Sequence, residues 1–120
     1  MEYNITSIRP FIGAKDFDQS RNFYRDLGFT EIKLTLKMSL FQNKKVGFYL
    51  QDAFVKDWVD NTMVFLEVKN LDQVYRDLLG LDLETKYPHA RLVPIRVENW
   101  GRECFLHDPS GILWHFGEFE

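Results

Sequence analysis

The sequence predicts an α+β fold: two tandem βαβββ modules forming curved sheets around a cleft. Three observations carry this expectation. Lys15-Asp16-Phe17-Asp18-Gln19 is answered by Lys69-Asn70-Leu71-Asp72-Gln73, and Tyr24-Arg25-Asp26-Leu27 recurs letter for letter as Tyr75-Arg76-Asp77-Leu78. Each repeat reads as a helix preceded by one strand pattern and followed by three. Finally, neither half of a 120-residue chain could bury its helix face alone, so the two must share a core. The chain is read as a single domain with modules about 1–57 and 58–120.

The elements follow in order. Ile5 to Ala14 and Met63 to Val68 are rich in β-branched and aromatic residues, which suits the first strand of each half. Asp16 and Asn70 each stand three residues before a Gln, a capping-box spacing that starts a helix. Phe17, Phe23, Tyr24 and Leu27 then fall at helical spacing, as do Leu71, Val74, Tyr75 and Leu78. Gly28 and Gly80 stand where a left-handed residue would end each helix. Strands are expected near 30–36, 38–41 and 46–51, and again near 92–98, 102–107 and 113–117. Asn43-Lys44-Lys45 reads as a hairpin turn. Asp108-Pro109-Ser110-Gly111 fits a type I turn, with Asp first, Pro second and Gly fourth. Residues 52 to 61 are read as a link between the halves.

Composition narrows the function. Lys and Arg number 15 against 18 Asp and Glu, a net charge of −3, so no basic face for nucleic acid is expected and no polybasic membrane anchor. A single Cys rules out an intrachain disulfide and a thiolate-rich metal site. No apolar run reaches the roughly 18 residues of a membrane span. Met1-Glu2-Tyr3-Asn4 lacks the build of a signal peptide, so a cytoplasmic protein is expected. Aromatic residues make up 16% of the chain, more than a small core needs, which hints at an aromatic-lined cavity.

Two constellations can be weighed on strand geometry. Cys104 and His107 are three apart, so on a strand they point to opposite faces and make a poor thiol–imidazole pair. Leu113, His115 and Gly117 share one face of the last strand, and Trp114 and Phe116 share the other. If helices cover Trp114, His115 looks into the cleft as a polar group for a ligand.

The pattern resembles the glyoxalase, bleomycin-resistance and extradiol dioxygenase superfamily, known as the vicinal oxygen chelate proteins. The resemblance rests on Asp16 to Phe29 and on Asp108-Pro109-x-Gly111, and it covers nearly the whole chain. Trp100-Gly101-Arg102-Glu103, followed by His115-Phe116, is most similar to the bleomycin-resistance branch. The resemblance implies a homodimer whose clefts are built from curved sheets. It also implies four metal-ligand positions in the superfamily's enzymes, on the first and last strands of each half. With a repeat offset of 69 − 15 = 54, these fall at Arg9, Tyr49, Met63 and His115. Arg is permanently cationic and Met is a soft thioether, so this set suits no divalent cation. No metal or other cofactor is therefore expected.

The resemblance implies that Trp100 stacks on a ligand near the cavity mouth and that Phe65 is a second cavity aromatic. Arg9 and Arg102 are read as charged groups in or near the cleft. The expected ligand-binding set is thus Trp100, Phe65, His115, Arg9, Arg102, Tyr49 and Met63, with no catalytic residue. Trp58, flanked by Asp57 and Asp60, is a candidate dimer contact. Lys33 and Lys37 keep the stretch 31–38 from being uniformly acidic. The expected function is therefore metal-free sequestration of a small, partly aromatic molecule. The alternative is a metal-dependent glyoxalase-like lyase or dioxygenase using His115, Glu118 and Tyr49, although Glu118 and His115 face opposite ways on a regular strand.

Overall fold

The protein is described by a computed structural model over residues 2–120. The first half contains β1 (Phe11–Gly13), α1 (Phe17–Asp26), β2 (Thr30–Thr35), β3 (Met38–Asn43), β4 (Val46–Gln51) and the short α2 (Lys56–Asp60). The second contains β5 (Met63–Glu67), α3 (Leu71–Gly80), α4 (Leu83–Lys86), β6 (Arg91–Glu98), β7 (Gly101–His107) and β8 (Leu113–Phe119). Each half makes one four-stranded sheet, ordered β1-β4-β3-β2 and β5-β8-β7-β6. In both, the first strand lies parallel to the last and the other pairs are antiparallel. This is the expected pair of βαβββ modules.

Local chemistry explains the helices. The Asp16 side chain accepts from Gln19 N–H at 3.1 Å, and Asn70 does the same for Gln73 at 3.4 Å. Such caps contribute about 1 kcal/mol each. Phe23 and Tyr24 turn inward from α1, and Leu71 and Leu78 from α3. Gly28 sits at φ +107, the left-handed residue that ends α1.

The halves meet through an aromatic core. Trp114 of β8 packs against Phe48 of β4 at 5.2 Å and against Tyr24 at 5.8 Å between ring centres. A polar thread runs through it. The Trp114 indole N–H donates to Tyr24 Oη at 2.9 Å, and Tyr24 O–H donates to Asp108 Oδ2 at 2.6 Å. The other oxygen, Asp108 Oδ1, accepts the N–H groups of Ser110, Gly111 and Ile112, each at 2.8 Å. The Asp-Pro-Ser-Gly turn is thereby fixed and docked onto α1 by one carboxylate. Burial pushes that carboxyl upward in pKa, against the pull of these donors.

A second acid, half-buried Glu31, holds α1 to its own sheet. Glu31 of β2 accepts from Arg21 Nε and Ser39 Oγ, both at 2.6 Å, and also pairs with Arg25. Burial alone would raise the Glu31 carboxyl. The Arg21 and Ser39 hydrogen bonds and the two guanidinium charges overcome this and hold it at about 2.

Three expectations need correction, and one further element joins them. The first strand does not run from Ile5; it begins at Phe11. Pro10 has no N–H to continue the ladder, and its carbonyl accepts the last bond, from Tyr49 N–H at 2.9 Å. Gly80 does not end its helix in the left-handed region. That conformation belongs to Asp82, at φ +54, because Leu81 still packs on the core and Leu83 must be brought into it. The link 52–61 holds a helix, α2, whose Val59 is buried. The segment after α3 forms the unexpected α4, which carries buried Leu83.

Candidate functional site on the open face of the second sheet

Strand alternation sorts the side chains of β8. Trp114 and Phe116 enter the core, and His115 points to the opposite face. In β7, Cys104 and Leu106 go to the core while Glu103 and Phe105 share the face of His115. Register then brings the groups together. His115 pairs with Phe65 across β5 and with Phe105 across β7, and Glu103 pairs with the adjacent Gly117.

The result is an aromatic face around one imidazole. The Phe65 ring stacks on His115 at 6.1 Å between centres, and Phe105 meets it edge-on at 4.9 Å. Trp100, in the turn between β6 and β7, lies 5.7 Å from Phe65 and 5.0 Å from Phe119. Phe65 can lie across β8 because Gly117 has no side chain; a Cβ there would sit 2.3 Å from Phe65 Cζ. His115 Nδ1 is 2.9 Å from Glu103 Oε1, and Glu103 is buried. His115 Nε2 is buried and has no hydrogen-bond partner.

The first sheet presents a matching face. Phe11 stacks on Tyr49 at 4.8 Å, paired across β1 and β4 as Phe65 and His115 are paired across β5 and β8. Arg9 Nη1 donates to Tyr49 Oη at 3.3 Å. Around them lie Leu40, Ile32 and Leu34, the latter two exposed. Both faces point away from the shared core.

The expected site residues therefore fall into separate groups. Trp100, Phe65 and His115 meet on the second sheet. Arg9 and Tyr49 meet on the first. Met63 pairs with Leu113 and is 63% exposed at the start of β5. Arg102 lies off the open face. It makes a two-pronged bond with Asp72 at 3.1 Å and reaches Glu118 at 3.3 Å. Glu118 in turn accepts the N–H groups of Asn70 and Leu71 at the start of α3, and these bonds lower its carboxyl pKa. Arg102 and Glu118 thus serve that helix end.

The metal positions carry an unsuitable donor set. Arg9 brings a positive charge onto Tyr49, Met63 offers a thioether, and the Nδ1 of His115 is engaged by Glu103. Among the described residues, no group of three or more His, Cys, Asp or Glu could hold a metal ion. These residues do not fit the divalent ion of the superfamily's enzymes. Nucleophilic chemistry at Cys104 is equally unsupported: burial pushes its thiol up to about 11, and His107 faces the other way.

Volume alone would select a different place. A recess of about 580 Å³ lies between the modules and is lined by Leu27, Val74, Leu78 and Phe116. Two of its acids are already engaged, Asp26 by Tyr87 O–H at 2.5 Å and Asp77 by Gln73. The aromatic face is the better candidate because it holds a polar atom with no partner.

Sequence reasoning missed Glu103, Phe105 and Phe119 as members of this face. The signal was present. The Asp108 turn fixes β7 against β8, and counting back from it pairs Phe105 with His115 and Glu103 with Gly117.

No protein-family model matches the chain, and no curated protein does. Solved structures do match. A bleomycin-binding protein complexed with bleomycin is 22% identical, with a TM-score of 0.79 over 95% of this chain and 98% of that one. The bleomycin-binding protein from bleomycin-producing Streptomyces verticillus, complexed with copper(II)-bleomycin, is 19% identical, with a TM-score of 0.81 over 99% and 100%. A glyoxalase/bleomycin resistance protein/dioxygenase from Alicyclobacillus acidocaldarius is 18% identical, with a TM-score of 0.67 over 99% and 95%. The chain has the fold of the glyoxalase/bleomycin resistance/dioxygenase superfamily, as the sequence motifs implied. Among the described residues, no helix is long and apolar enough to cross a membrane.

Proposed function

We propose that this chain is a metal-free binding protein that sequesters a small, partly aromatic molecule on the open face of its second sheet. The observation that carries the reading is the convergence of Trp100, Phe65, Phe119 and Phe105 around His115. Flat side chains give a large contact area for little conformational entropy, and such a face holds a planar ligand by stacking. The solved structures of similar fold include antibiotic-binding proteins, which fits this reading. No covalent step is assigned.

The working unit is a homodimer of this single two-module domain. Each open face is half of a cleft, and a second copy would supply the other half. Exposed Phe11, Ile32 and Leu34 on the first sheet support this, as do Met63 on β5 and Trp58 on α2. Tyr3, Ile5 and Ile8 precede β1 with their side chains in solvent, Ile8 at 91% exposure. Sedimentation at micromolar concentration should give a dimer; a monomer at all concentrations would remove this part of the proposal.

Binding is tested by titrating bleomycin and a panel of planar heteroaromatic compounds while following tryptophan fluorescence. Trp100→Ala should weaken any ligand found by about tenfold or more, in line with the loss of one stacking aromatic at an interface centre. Its melting temperature should stay close to that of the parent. Unchanged affinity in Trp100→Ala would overturn the stacking role.

A further inference from the structure

Among the described residues, His115 Nε2 stands out as a buried side-chain polar atom with no hydrogen-bond partner. Buried polar groups are nearly always satisfied, so such an atom needs a reason. Its surroundings supply one. The other ring nitrogen faces a carboxylate, Glu103 Oε1, at 2.9 Å. An ionised carboxylate only accepts, so a neutral imidazole facing one carries its hydrogen on the near nitrogen and keeps its lone pair on the far one. Strand pairing holds both groups in place, with Glu103 on β7 and His115 on β8.

We propose that Glu103 fixes His115 as the Nδ1–H tautomer, so that Nε2 selects flat aromatic ligands carrying an N–H or O–H donor on their edge. This rests on the binding face proposed above and names the ligand chemistry it takes. Phe65 and Phe105 form apolar walls beside the imidazole and offer no competing donor. The nearby cation, Arg96, lies over Phe105 at 4.8 Å and is paired with Glu98 at 2.7 Å. A donor reaching the buried Nε2 requires a ring beside the imidazole to give way, and Phe65, stacked on His115 and 42% exposed, is the ring with solvent to move into. Glu103 is a positioning residue in this scheme, and His115 is the contact.

Two measurements test the proposal. The first needs no ligand: long-range proton–nitrogen NMR spectra of the unmodified protein at about pH 8, where an ordinary imidazole is neutral. The expected result is a hydrogen on Nδ1 of His115, with the preference weakened in Glu103→Gln. A hydrogen on Nε2 overturns the proposal. The second compares 2-naphthol with 2-methoxynaphthalene, the same ring with and without a donor. The hydroxyl compound should bind about tenfold tighter, and His115→Phe should abolish the difference. Equal binding of the two by the parent protein overturns donor selection while leaving the aromatic face as a binding site. Failure of both to bind at millimolar concentration removes the binding face, and this inference with it.

Discussion

In the first module Phe11 stacks on Tyr49; in the second Phe65 stacks on His115. The two pairs occupy the same place in two copies of one plan, the parallel contact between first and last strand. The Tyr49 hydroxyl is answered by the guanidinium of Arg9, just before β1. His115 is answered on one side by Glu103 and left open on the other. The first module therefore closes its polar requirement within itself, and the second leaves one ring nitrogen without a partner. Duplication has kept the scaffold while the open faces have diverged, one largely aliphatic and the other aromatic.

Three substitutions break or sharpen this contrast. The largest effect is expected where the modules are joined. Asp108→Ala strips partners from Tyr24 O–H and three backbone N–H groups. It should cost roughly 3 kcal/mol in urea denaturation, the scale for breaking a buried charged network. A loss below about 1 kcal/mol would mean that packing alone joins the halves.

The next effect belongs to the first module. Glu31→Gln should lose about 2 kcal/mol near neutral pH, somewhat less than the full displacement of its pKa from 4.5 to about 2 would give, because Arg25 is partly in solvent. The folded carboxyl lies below its unfolded value. Its contribution is thus complete above about pH 4.5 and fades as the pH falls toward 2. Stability curves of parent and variant should converge in that window. Curves that stay parallel down to pH 2 would show that Glu31 is not the group responsible.

The smallest effect is the most informative about the two faces. Tyr49→Phe removes the acceptor of a single, long, half-exposed hydrogen bond from Arg9 and should change stability by less than about 1 kcal/mol. It should also leave 2-naphthol affinity within about twofold, in contrast to His115→Phe. Comparable losses in the two variants would mean that the ligand leans equally on both halves of the cleft and not chiefly on the His115 face.

Much of this architecture was legible in the sequence because its signals are local. Asp16, Asn70, Gly28 and the Asp108 turn declare themselves through spacing of three or four residues. The face of His115 followed from simple alternation. What stayed hidden depends on the neighbour across the sheet or the core. Ile5 and Ile8 have strand-forming side chains but no partner strand among the described residues. Gly80 does close α3, but the left-handed turn falls two residues later, at Asp82, where the chain brings Leu83 inside. Arg102 sits one residue from Glu103, yet the pleat sends it to Asp72 on the far side. Trp100 and Phe65 came from resemblance, and Glu103 needed the register of β7 against β8.

Gly117 offers no chemical group to a ligand, yet it sets how wide the aromatic face can open. Its bare backbone is the floor on which the Phe65 ring rests. One added methyl would lift that ring and expose the imidazole beneath it. On the proposed binding role, the breadth of ligands accepted would be retuned by a residue that none of them touches, and a search confined to contact side chains would pass over it.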